Sequence, residues 1–104
     1  MATTSKVLFR GAASTSSTTL YTVPTTSTVT VVTNVLVANT ANAAATFDLS
    51  IDDVQIANDV AVAANDTLSI DLKQVIPANA TPKTIKGLAS ATTVNFHISG
   101  VEIV

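Results

Sequence analysis

Apolar and polar residues alternate with a strict two-residue period in three places. Phe47, Leu49 and Ile51 interleave with Asp48, Ser50 and Asp52. Leu68, Ile70 and Leu72 interleave with Ser69, Asp71 and Lys73, and Val94, Phe96 and Ile98 with Asn95, His97 and Ser99. A strand points successive side chains to opposite faces, so each run predicts a strand with one face on a core and one in water. Residues 7–10 and 20–23 are shorter runs of the same kind. Residues 28–38 read differently. Val29, Val31, Val32, Val35, Leu36 and Val37 place apolar side chains on both faces. That predicts a central strand covered on both sides, or one whose outer face meets a partner. A dense run of Val and Thr is poor helix material. Towards the C-terminus the parity changes, because Ile98 and Val101 cannot share a face of a regular strand. Gly100 lies between them and predicts a β-bulge or bend that re-aims Val101 and Ile103.

Turn signals separate the runs. Residues 11–19 are a Ser/Thr/Ala stretch without periodicity, and Pro24-Thr25-Thr26, residues 39–45, Asn58-Asp59, Asn65-Asp66 and residues 77–82 read as turns or loops. Turns recur roughly every eight to twelve residues, the rhythm of a β-sandwich or barrel. No segment has a 3.6-residue period. The fold class is therefore all-β. Leu49-Ser50-Ile51-Asp52 and Leu68-Ser69-Ile70-Asp71 repeat one tetrapeptide, which reads as two strands of similar pattern, with a duplicated hairpin as the lesser alternative.

Composition narrows the picture. The 104 residues suffice for one domain with one modest core. Apolar residues make up 47% and charged residues 12%, a balance opposed to disorder. Aromatics reach only 4%, so Val, Ile, Leu and Ala must fill the core. Cysteine is absent, which removes disulfides, thiol nucleophiles and cysteine-ligated zinc. A net charge of −2 offers no basic footprint for nucleic acid. The N-terminal residues carry no long apolar stretch, so a secretory signal is not expected. No apolar run approaches the ~20 residues that span a membrane as a helix.

Candidate chemistry is thin. His97 is the lone histidine, and alternation places it on an outward face without a nucleophile or an orienting acid. Asp48, Asp52, Asp53 and Asp59 form a loose acidic group. They lack the compact loop and glycine of a calcium site, and a regular strand would hold Asp48 and Asp52 about 13 Å apart. They read as solvated strand faces and turn caps, and no aromatic platform for a sugar accompanies them. Gly11, Gly87 and Gly100 are too scattered to cradle a phosphate. Lys83 and Lys86 read as protection of an edge strand, and Tyr21 as a sandwich-corner or interface residue. The expectation is no catalytic, cofactor-binding or metal-binding residue, and no enzyme. Sparse charge and flat Thr-rich faces favour association with copies or with a large scaffold.

Several ordered pieces resemble one family. They are Thr19-Leu20-Tyr21-Thr22-Val23-Pro24, the Val-rich segment 27–39, Thr46-Phe47-Asp48-Leu49-Ser50-Ile51, Ala63-Ala64-Asn65-Asp66-Thr67-Leu68-Ser69-Ile70, and the closing segment 91–103. In this order they resemble small virion structural proteins of tailed bacteriophages, over most of the chain from Thr19 onward. The resemblance implies a single antiparallel, jelly-roll-like β-sandwich over 19–104, with 1–18 as an N-terminal arm and loop carrying a short strand. It implies a capsid decoration or cement protein that bridges capsid subunits. The alternative is a small tail, baseplate or fibre-associated component, structural or host-binding, for instance towards a surface glycan. The implied partners are the major capsid protein or other virion proteins and further copies of the chain, with a trimer favoured. Neither nucleic acid nor membrane is expected as a partner. The location implied is the virion, after assembly in the host cytoplasm.

Overall fold

In a computed structural model, which describes residues 2–26 and 28–104, the alternating runs become strands and the turn signals join them. In chain order the strands are β1 (Thr3–Ala12), β2 (Thr18–Thr22), β3 (Val29–Asn39), β4 (Ala45–Ile51), β5 (Val54–Val62), β6 (Thr67–Pro77), β7 (Thr84–Ala89) and β8 (Val94–Ile103). Met1 of the N-terminal arm and Ser27, expected to open the Val-rich segment, lie outside the described residues.

All pairings are antiparallel. A front sheet runs β1-β8-β3-β6 and a back sheet runs β2-β7-β4-β5. Only β4 and β5 pair as consecutive strands; every other connection joins one sheet to the other. This is the eight-stranded jelly roll, a sandwich of two interleaved Greek keys. Phe47 and Phe96 meet edge-to-face at its centre, ring centroids 5.9 Å apart. Around them pack Val32, Val35, Val37, Leu49, Ile76, Ile85, Val94 and Ile98, all buried.

Four expectations change. Within the expected N-terminal arm, Thr3–Ala12 form a ten-residue strand, β1, paired with β8 from Thr3↔Ile103 to Ala12↔Asn95, so this stretch is an edge of the front sheet. β5 and β7 carry no unbroken apolar alternation, and β7 is legible only through Lys83 and Lys86. Asp59, at φ 49°, makes a bulge inside β5 in place of a turn at Asn58-Asp59. In β7 two of the three core-facing positions are Gly87 and Ala89, too small to register as an apolar stripe. A Cβ on Gly87 would stand 2.9 Å from Leu49 and 3.0 Å from Leu20.

The fourth change concerns the C-terminal parity. β8 alternates regularly through Gly100: Ile98 and Gly100 face the core, while Ser99, Val101 and Ile103 face outward. The register shifts lie in its neighbours, at Leu8 of β1 and Thr33 of β3, on either side of Gly100. There is no room for a side chain between them, since a Cβ on Gly100 would fall 2.4 Å from the Val31 carbonyl oxygen.

Candidate functional site

The sequence-selected polar residues do not converge. His97 faces outward on β8, half-buried between Arg10 of β1 and Leu36 of β3. No carboxylate flanks it across either strand pair, so the orienting acid of a triad is missing there. Asp48 accepts the Asp59 backbone N–H at 2.8 Å and the Gln55 side-chain amide at 3.3 Å, which anchors the β5 bulge. Asp52 and Asp53 form the two-residue turn between β4 and β5, at φ 54° and 60°. Positive φ at both positions marks a type I′ turn, whose twist matches paired strands.

Lys83 and Lys86 pair with that turn, at 3.0 Å to Asp52 and 3.1 Å to Asp53. The expected edge-strand role is corrected, because β7 is an interior strand between β2 and β4. The lysines offset turn carboxylates instead. Among the described residues no group of three or more His, Asp or Glu side chains is placed to hold a metal ion. A cavity of about 60 Å³ beside Asp48 and Lys86 is far smaller than the ~300 Å³ at which small-molecule sites begin. No helix of the described residues is long and apolar enough to cross a membrane.

Two arrangements escaped sequence reasoning. At one side of the sandwich Tyr21 of β2 reaches across to the front sheet, and its phenol donates to Glu102 Oε2. Lys6 Nζ stands 3.1 Å from Glu102 Oε1 and 5.4 Å from the centre of the Tyr21 ring. The Tyr21 hydrogen bond, aided by Lys6 and opposed by burial, holds the Glu102 carboxyl below its ordinary range. Burial, reinforced by the bond to Glu102, pushes the Tyr21 phenol up. The Glu102 hydrogen bond does the same to Lys6. The Thr30 hydroxyl is fully buried beside this phenol; it reaches no full hydrogen bond among the described residues, but its pull on the Tyr21 oxygen opposes the upward shift. At the opposite end of β3, buried Asn39 donates to the carbonyls of Ala43 at 2.8 Å, Val62 at 3.3 Å and Ala63 at 3.4 Å. It accepts from the Ala41 N–H and the Thr93 hydroxyl. One amide thus ties three connections together.

The outer faces carry the clearest contrast. Asp48, Asp52, Asp53, Lys83 and Lys86 gather on the back sheet and its β4–β5 turn. Among the described residues, the outer face of the front sheet carries three charged side chains, Arg10, Asp71 and Lys73, alongside His97. One end of this face is apolar. Ile103, Val29 and Pro77 form one cross-strand row, and Val101, Val31 and Val75 the next. Val7 is 49% and Val75 60% exposed. A shallow open depression of about 410 Å³ lies where the bulges meet β8, lined by Ser5, Val7, Thr33, Ser99 and Val101 among others.

No family model matches the chain, and no curated protein matches it. Among solved structures, a chain in the structure of the Gx strain of infectious bursal disease virus shares the fold. The TM-score is 0.55 at 16% identity, over 97% of this chain and 32% of that one. The protein spans about a third of that viral chain, and what the likeness establishes is the architecture: an antiparallel β-sandwich.

Proposed function

We propose that the protein is a non-enzymatic virion structural protein, a decoration or cement protein of a bacteriophage head that bridges neighbouring capsid subunits. The observation that supports this reading is the jelly roll itself, shared over nearly the whole chain with a chain of a viral structure. The ordered sequence pieces that resemble tailed-phage virion proteins point the same way. A protein that binds only the closed capsid stabilises it in proportion to the sites it fills, about 2.7 kcal/mol per site at a hundredfold excess over Kd. The partners proposed are the major capsid protein and further copies of the chain. Assembly in the host cytoplasm and residence on the virion belong to the same reading.

The test is mixing the purified protein with bare phage heads. Co-sedimentation with heads and a rise of several degrees in their melting temperature are expected. Absence of the chain from purified particles would overturn the virion reading. Presence only in tail or fibre fractions would move the protein to the tail, baseplate or fibre alternative.

A further inference from the structure

We infer that the outer face of the front sheet packs against the same face of a second copy, about a two-fold axis parallel to the strands. The symmetry follows from where the residues stand. Such an axis lays β1 of one copy over β6 of the other, and β8 over β3. Each apolar row then meets an apolar row: Val101 lies over Val31, and Ile103 over Val29. Val75, on β6, stands over the β1 side of the second copy, where Ser5, Val7, Ser99 and Val101 line the depression. A projecting valine thus meets Val7 and Val101 in a recess that Ser5, Lys6, Thr33 and Ser99 also line, twice per pair.

Arg10 and Asp71 agree with this axis, and Lys73, between Asp71 and Val75 on β6, then stands over the uncharged Val7 and Ser5 of the second copy's β1. Arg10 lies on β1 in the row of His97, and Asp71 on β6 in the adjacent row of Ser99. The strand-parallel axis places Arg10 of each copy one row, roughly 6–7 Å along the strand, from Asp71 of the other. That is within reach of an arginine side chain. An axis perpendicular to the strands would instead set Arg10 over Ser5 of the second copy's β1, and apolar rows over Asn95 and Thr67.

The area suffices. Four strands about 4.8 Å apart and ten residues long cover roughly 600 Å² in flat projection. Side-chain relief raises this towards the ~800 Å² per partner of a standard interface. The back sheet also exposes Val54 and Ile56, on its edge strand β5, but there they adjoin the charged β4–β5 turn.

The inference concerns self-association and does not depend on where the protein resides. Sedimentation equilibrium of the full chain between ~1 and ~100 µM tests it. A mass twice the 10.6 kDa of one chain is expected. Val75→Lys is expected to weaken the dimer at least tenfold without lowering the melting temperature of the monomer, since the residue is exposed on an edge strand. Arg10→Asp and Asp71→Arg each weaken it several-fold, and the double exchange recovers much of the loss, which misfolding would not allow. A monomer throughout the range, a trimer, or a dimer indifferent to Val75→Lys overturns the pairing. A Val75→Lys protein of unchanged mass that no longer binds heads gives the face to the capsid, and also overturns it. A monomer that still binds heads overturns the pairing and leaves the virion reading standing; a dimer that ignores particles does the reverse.

Discussion

Tyr21, Glu102 and Lys6 show how one residue's surroundings set its chemistry. Glu102 has a folded pKa depressed below its ordinary 4.5. Its contribution to stability is therefore fully present above about pH 5 and is lost as pH falls through the folded value. Tyr21→Phe removes the donor that depresses it most. The expected cost is about 1.5–3 kcal/mol at pH 7, the range for a hydrogen bond to a charged group, shrinking towards pH 3. Urea melts at the two pH values check this, and an equal cost at both would sink the assignment. Thr30 makes the opposite case. Its buried hydroxyl has no full hydrogen bond among the described residues, only a weak pull on the Tyr21 phenol, and Thr30→Val replaces it with a methyl of similar shape. The variant is expected to be as stable as wild type or up to about 2 kcal/mol more stable, because an unsatisfied buried polar group is removed. A clear loss in thermal melts would mean that the hydroxyl has a partner after all. In the sequence Tyr21 reads only as a corner or interface residue within a Thr-rich run, and Glu102 lies two residues beyond Gly100, at a position whose face depends on the strands beside it.

At the scale of elements, the connections do much of the specifying. The β4–β5 turn holds two aspartates at positive φ, which costs roughly 1 kcal/mol or more for a residue with a Cβ. Asp53→Gly relieves that strain and gives up only a largely exposed ion pair with Lys86, worth little. A gain of up to about 1 kcal/mol is expected in denaturant melts; a loss above ~1 kcal/mol would show that the ion pair governs the turn. Asn39 governs the other end. Asn39→Ala strands the carbonyls of Ala43, Val62 and Ala63 and is expected to cost about 2–4 kcal/mol. Hydrogen exchange should then rise first in residues 40–44 and 63–66, and a uniform rise across the sheets would count against a local clamp. The turn signals at Asn39 and Asn65-Asp66 were readable, because Asn and Asp favour such backbone geometry. That Asn39 points inward, in parity with Val35 and Val37, follows from the same alternation once β3 is extended to it.

For the whole molecule, topology sets the folding behaviour. β1 pairs with β8, joining Thr3 to Ile103, and β3 pairs with both β6 and β8. Such distant pairings must close long loops before any contact rewards them, so folding in milliseconds to seconds is expected. Stopped-flow refolding checks this, and a microsecond relaxation would contradict the topology. The same topology produces the outer apolar rows. Val29, Val31 and Pro77 are joined there by Val101 and Ile103 because β8 stays regular while β1 and β3 carry the bulges.

The division between sequence and tertiary structure follows from what each can encode. Local alternation determined the all-β class, the strands around Phe47, Leu68 and Val94, and the two-faced apolar character of residues 29–37, because side-chain direction in a strand is a period-2 property of neighbouring residues. It could not reveal the full length of β7, whose inward positions include Gly87 and Ala89, since at Gly87 the space is already filled by Leu49, Leu20 and Phe96. Nor could it orient Val101 and Ile103. Their face depends on extra residues at Leu8 and Thr33, far away in the chain and adjacent only when the front sheet is assembled. Register is a relation between strands, and only the folded sheet contains it.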